Sequence, residues 1–84
     1  MKIEQLLQQW GAASVEVTDN SHLHVGHAGA RSGGGHFAVK VVADAFAGQS
    51  RIQRHRAVYQ QLTELFSSGA IHALEVEAKT TEEI

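Results

Sequence analysis

No cysteine occurs anywhere in the 84 residues. Thiol nucleophiles, disulfide frameworks, thiolate zinc sites and self-sufficient cysteine-ligated clusters are therefore excluded, and stability has to come from packing. Positive charge is scarce too: seven Lys and Arg stand against nine Asp and Glu, a formal net charge of −2, with a pI near 6.3. A generic electrostatic nucleic-acid binder has a strongly basic surface instead. Long apolar runs are missing. Residues 1–10 mix polar with apolar positions and include Lys2 and Glu4, which matches neither a signal h-region nor a membrane span. The expected setting is therefore the cytoplasm, with no membrane association. No Ser-His-Asp set, carboxylate pair or phosphate-binding loop can be assembled from the polar residues, which argues for a binding module and against an enzyme.

Apolar residues make up 43% of the chain and charged residues 19%, a globular balance far from that of disordered segments. The length is at the small end of what one core needs, so residues 1–84 read as a single domain. Six histidines are the compositional oddity, and they make the charge sensitive to pH near neutrality.

The apolar residues keep helical or strand periods. Ile3, Leu6, Leu7 and Trp10 predict an amphipathic helix over residues 2–10, stopped by Gly11. Val15 and Val17, alternating with Glu16 and Thr18, predict a strand that ends at the turn residues Asp19, Asn20 and Ser21. Residues 22–35 hold five glycines and three histidines without an apolar period and read as a long connection, the kind of loop that is functional or disordered. A second strand over residues 36–43 puts Phe37, Val39 and Val41 on one face. After a loop over residues 44–49, Ser50-x-x-Gln53 has capping-box spacing and opens a helix expected over residues 51–68. Its predicted core stripe is Ile52, His55, Val58, Tyr59, Leu62, Leu65 and Phe66. Gly69 ends that helix, residues 71–78 form a third strand, and Thr80-x-x-Glu83 could cap a last helical turn. A helix joins strands 2 and 3, so they should be parallel, while strands 1 and 2 should be antiparallel. The expected fold is α+β, in the order αββαβ(α): one three-stranded mixed sheet with its helices on one face.

The densest polar constellation is Ser21-His22-Leu23-His24-Val25-Gly26-His27, whose imidazoles suit a transition metal or simply stay solvated. Gly26-His27-Ala28-Gly29 fits the GxxG pattern of KH domains, but it joins strands rather than helices and lacks a base within the motif, so it reads as a turn. Arg54 and Arg56, with Arg51 one turn earlier, are candidate phosphate or nucleic-acid contacts. His55 falls inside the apolar stripe and is assigned a structural role, as is the cap Ser50. His72 is at the mouth of strand 3, where the strand meets the loops.

Taken together, four blocks resemble the BolA family: Asp19-Asn20-Ser21-His22-Leu23-His24-Val25-Gly26-His27; His36-Phe37-x-Val39; Phe46-x-Gly48-x-Ser50-x-x-x-Arg54-His55-Arg56-x-Val58-Tyr59; and Ile71-His72-Ala73-Leu74. The likeness runs over about residues 2–83. It implies a class II KH-like fold and a non-enzymatic role in iron–sulfur cluster trafficking beside a monothiol glutaredoxin. In that family pattern a [2Fe-2S] cluster is shared with the glutaredoxin and glutathione, and none is expected on the isolated protein. The ligands the resemblance implies are His72 and His36, with His27 as a rival for the second place. A chain without a loop cysteine resembles the histidine-type branch. Strand parity argues the other way, because it puts His36 on the face opposite Phe37, Val39 and Val41 but His72 on the same face as Leu74 and Val76. Some family members are described as transcriptional regulators, so DNA binding through Arg51, Arg54 and Arg56 is the alternative. Monomer and homodimer are both compatible with the resemblance. The family often ends in Thr-Pro-Glu-Glu-Trp, whereas this chain has Thr80-Thr81-Glu82-Glu83-Ile84, which puts the last helix in question.

Overall fold

The computed structural model describes residues 1–21 and 35–84. The chain runs through α1 (Lys2–Trp10), β1 (Ser14–Asp19), β2 (Gly35–Val42), a 3-10 turn (Asp44–Phe46), α2 (Arg51–Gln61), α3 (Thr63–Ser67) and β3 (Ile71–Lys79). The expectations for His22, His24, His27 and the GxxG segment lie outside the described residues. Among the described residues, no helix is long and apolar enough to cross a membrane.

The strands form one sheet in the order β1-β2-β3. β1 is antiparallel to β2, with Val15 opposite Val41 and Val17 opposite Val39. β3 is parallel to β2, with Leu74 opposite Phe37 and Val76 opposite Val39. Period-2 alternation puts these side chains on one face, and α1 and α2 cover it. Ile3 and Leu7 of α1, and Val58 and Leu62 of α2, are buried in the same cluster as Val39, Val41, Leu74 and Val76. The opposite face carries the polar row of Glu16 opposite Lys40 and Lys40 opposite Glu77. Its Lys40–Glu77 ion pair, 3.7 Å apart and exposed, adds little stability.

Three expectations need correction. The helix predicted over residues 51–68 breaks at Leu62, whose φ of −110° and ψ of 12° leave the helical region. Thr63 supplies the cause: its hydroxyl donates back to the carbonyls of Gln60 at 3.0 Å and Tyr59 at 3.3 Å, a contact that bends helices. The predicted stripe holds only in part. Ile52 is 66% and Tyr59 40% exposed, whereas His55, Val58, Leu62, Leu65 and Phe66 are buried or half-buried as expected, joined by Arg54, Ala57 and Gln61. Arg54 and Gln61 are polar, which hid their part of the face from an apolar period.

The third correction is the terminal helix: residues 80–84 form a turn. Glu83 N–H donates to the Thr80 carbonyl at 3.1 Å, and Thr80 N–H donates to Glu83 Oε1 at 2.7 Å. The same carboxylate receives Arg54 Nη1 at 2.7 Å and Nη2 at 3.1 Å. Arg54, whose side chain is 14% exposed, also donates to the carbonyls of Gln49 at 3.0 Å and Ala78 at 3.1 Å. The hydrogen bond from Arg54, with that from Thr80, holds the Glu83 carboxyl down from 4.5 to about 2. A depressed carboxyl contributes its stabilisation fully above the unfolded value and loses it as pH falls through the folded one. The melting temperature is therefore expected to fall more steeply from pH 4.5 to 2 in the wild type than in Glu83→Gln, as thermal melts at stepped pH will read.

Candidate functional site

The starts of β2 and β3 and the end of β1 meet at one end of the sheet, and each is fixed by short-range chemistry. Asp19 Oδ1 accepts from Ser21 N–H at 2.9 Å, an Asx turn that stops β1. This turns the Ser21 hydroxyl oxygen toward β2, where it accepts from His36 N–H at 3.0 Å. Asn20 N–H donates to the His36 carbonyl at 2.7 Å, so both backbone groups of His36 are held by the β1 turn. On the other side Gly69, at φ +83°, turns the chain out of α3 as only glycine readily does. β3 then starts with Gly35 N–H donating to the Ala70 carbonyl at 3.1 Å.

A bulge at this point decides where the histidines go. Gly35 pairs with Ile71, but the next residue of β2, His36, pairs with Ala73. His72 is the extra residue. A bulge of this kind breaks the period-2 alternation and re-aims a side chain. The burial of Ile71 and Leu74, three residues apart with exposed His72 and Ala73 between them, follows directly. The parity argument that kept His36 and His72 apart assumed regular strands. With the bulge, the two rings lie 5.1 Å apart, centre to centre, at 44° to each other. Two imidazoles that share one tetrahedral metal ion, with metal–nitrogen bonds of about 2.1 Å, have ring centres about 5 Å apart. His72 is exposed, whereas His36 is half-buried with its Nε2 out of reach of solvent. Among the described residues no three histidine, cysteine or acidic side chains gather into a metal-holding group. Among the described residues the pair offers a metal two imidazole donors.

The remaining predicted residues lie elsewhere. Ser50 forms the full capping box, its hydroxyl accepting from Gln53 N–H at 3.2 Å and its own N–H donating to Gln53 Oε1 at 2.8 Å. Arg51 and Arg56 are exposed and His55 is half-buried. His55 lines a groove of about 600 Å³ between α2 and β3 with Arg51, Val76 and Glu77. None of these residues is part of the histidine pair, and the guanidinium of Arg54 is engaged as described above.

Sequence reasoning missed Gly35. A Cβ there would lie 2.3 Å from Phe37 Cε2 and 3.2 Å from the Ala70 carbonyl oxygen, so the strands approach this closely only because the side chain is absent. Gly35→Ala is expected to displace the Phe37 ring, cost about 1–3 kcal/mol by overpacking and weaken the contact between the His36 and His72 rings. A thermal melt together with the ring-proton NOE between the two histidines will check both effects.

Comparison with known proteins adds the family context. The BolA family model, described as BolA-like protein, matches residues 6–83. The chain is 40% identical over 86 residues to SufE-like protein 1, chloroplastic/mitochondrial, of Arabidopsis thaliana, an alignment that covers 96% of this chain and 23% of that protein. It is 36% identical over 80 residues to the DNA-binding transcriptional regulator BolA of Escherichia coli strain K12, covering 95% of this chain and 72% of that one. The solved BolA domain of SufE1 from Arabidopsis thaliana superposes with a TM-score of 0.86 at 38% identity, over 100% of this chain and 93% of that domain. The chain thus spans less than a quarter of the full Arabidopsis protein, at 23% of its length.

Proposed function

This chain belongs to the BolA-like protein family, and from that premise we propose that it is a non-enzymatic partner of a monothiol glutaredoxin that carries a [2Fe-2S] cluster between them as shared cargo. The observation that supports this reading is the His36–His72 ring pair, 5.1 Å apart. The two imidazoles hold one side of the cluster, and the glutaredoxin and glutathione supply thiolates on the other. Neutral imidazole in place of thiolate removes negative charge and raises the reduction potential, as in Rieske centres. The described residues supply two donors to the cluster, and in this reading the remaining ligands come with the partner. We place this exchange in the cytoplasm, where glutathione keeps the partner thiols reduced.

Anaerobic mixing with a monothiol glutaredoxin that holds its glutathione-ligated cluster tests the proposal. The expected result is a one-to-one complex on size-exclusion chromatography with a changed visible circular dichroism spectrum. Separate elution with the glutaredoxin spectrum unchanged would sink it.

A second reading, DNA binding through α2, draws on the exposed Arg51 and Arg56 and on the name of the Escherichia coli relative. Against it stand the net charge of −2, the engaged Arg54, and Glu77 and Glu83 lining the groove beside Arg51. Phosphate contacts weaken steeply with salt, so duplex binding that is absent at low ionic strength removes this reading.

A further inference from the structure

We propose that Tyr59 is a positioning residue for the histidine pair, acting through the carbonyl of Leu74 on the open edge of β3. This inference rests on the cluster-partner reading of the same site. β3 is an edge strand, and a bulge leaves its extra residue without a ladder partner. The segment that presents His72 therefore has no ladder partner at its extra residue. On the inner side it is tied at Ala70, whose carbonyl receives Gly35 N–H at 3.1 Å. Among the described residues no strand lies on the outer side, and a tie comes from α2: the Tyr59 hydroxyl donates to the Leu74 carbonyl at 3.0 Å.

Alternate carbonyls of a strand face opposite edges. Lys79 turns its carbonyl inward to Ala43 N–H at 2.9 Å, so those of Leu74 and Ala78 face outward. α2 takes both, Ala78 through Arg54 at 3.1 Å and Leu74 through Tyr59. The Arg54 contact anchors the far end of β3, while the Tyr59 contact falls two residues from His72. The Tyr59 ring is itself fixed, stacked on Phe66 with centres 5.0 Å apart and planes at 28°. Although 40% exposed, Tyr59 thus aims its hydroxyl at one acceptor. The bulge is clamped at Ala70 and Leu74, and the three residues between include His72.

Tyr59→Phe isolates the hydroxyl, because the ring and its stacking on Phe66 remain. The chain without cluster is examined by NMR and by thermal melting. The expected result has three parts: a melting temperature within about 4 °C of wild type, a changed Leu74 carbonyl 13C shift, and loss of the NOE between the His36 and His72 ring protons. An unaltered NOE beside a moved Leu74 shift would overturn the proposal, as would an unmoved Leu74 shift. Outright unfolding would overturn it too, since the hydroxyl would then be holding the fold rather than the pair. The NOE is read without glutaredoxin or cluster. Its loss in Tyr59→Phe together with a failed wild-type complex would therefore refute the cluster-partner reading and leave the positioning role standing.

Discussion

His72→Ala is expected to abolish the visible circular dichroism signature of the proposed glutaredoxin heterocomplex and to leave the fold of this chain intact. The two halves of this expectation have separate causes. His72 is the extra residue of a bulge, with no opposite number in β2, and its side chain is exposed. Removing the ring takes away little packing, so stability changes by no more than about 0.5 kcal/mol. In an 84-residue chain that is a shift of about 2–4 °C in melting temperature. In the proposed function the ring is nonetheless one of two imidazole ligands, and an iron left with one of them cannot keep the two-histidine coordination that changes its spectrum. His36→Ala is expected to have the same spectral effect, because its ring is the partner at 5.1 Å; His27→Ala is the control for the rival ligand. A His72→Ala complex with the wild-type spectrum would remove His72 from the ligand set.

Phe46→Ala is expected to lower stability by about 3–5 kcal/mol, the usual cost of truncating a fully buried phenylalanine. Phe46 is 0% exposed. Its ring meets Trp10 with centres 5.4 Å apart, and the Arg54 guanidinium lies 5.9 Å from its centre. The 3-10 turn Asp44–Phe46 thus drives a large ring into the junction of α1, α2 and the C-terminal turn. Domains of this size have a total stability of roughly 4–13 kcal/mol, so the variant sits near the edge of folding. The melting temperature should fall by about 15–30 °C. A loss below about 1 kcal/mol in a denaturant melt would mean that the cavity collapses and that Phe46 does not organise this junction.

Much of this architecture can be read from the sequence where apolar residues alone decide it. Ile3, Leu6, Leu7 and Trp10 mark α1, and the valines of residues 15–17 and 39–42 mark β1 and β2 with their inner faces. The reading fails where polar residues take core-facing positions. Arg54 and Gln61 lie on the inward side of α2, and an apolar period cannot register an arginine whose charge is paired with Glu83 and whose guanidinium lies over the Phe46 ring. Thr63, ordinary in composition, breaks a helix by hydrogen bonding to carbonyls one turn back, an effect that depends on its rotamer. Phe46 was visible, but nothing local in a loop of alanines and glycine announces that it is the largest fully buried side chain.

The candidate site is a mixed case. The histidines were named from family likeness, while strand parity kept them apart. The correcting signal was present: Ile71 and Leu74 are three apart, a spacing that a regular half-buried strand does not use, and it marks the bulge. Gly35 and the Tyr59–Leu74 contact carry no such signal. One is the absence of a side chain beside a ring two residues away, and the other joins residues 15 apart.

The most direct test of the two-histidine claim is pulsed electron–nuclear double resonance on the reduced glutaredoxin heterocomplex, prepared with only this chain carrying 15N-histidine. Two distinct 15N couplings to the cluster, both lost in His72→Ala and His36→Ala pairwise and one lost in each alone, are the predicted result. A complex whose cluster shows no 15N coupling from this chain would contradict the account, because the histidine pair would then stand beside the cargo without holding it.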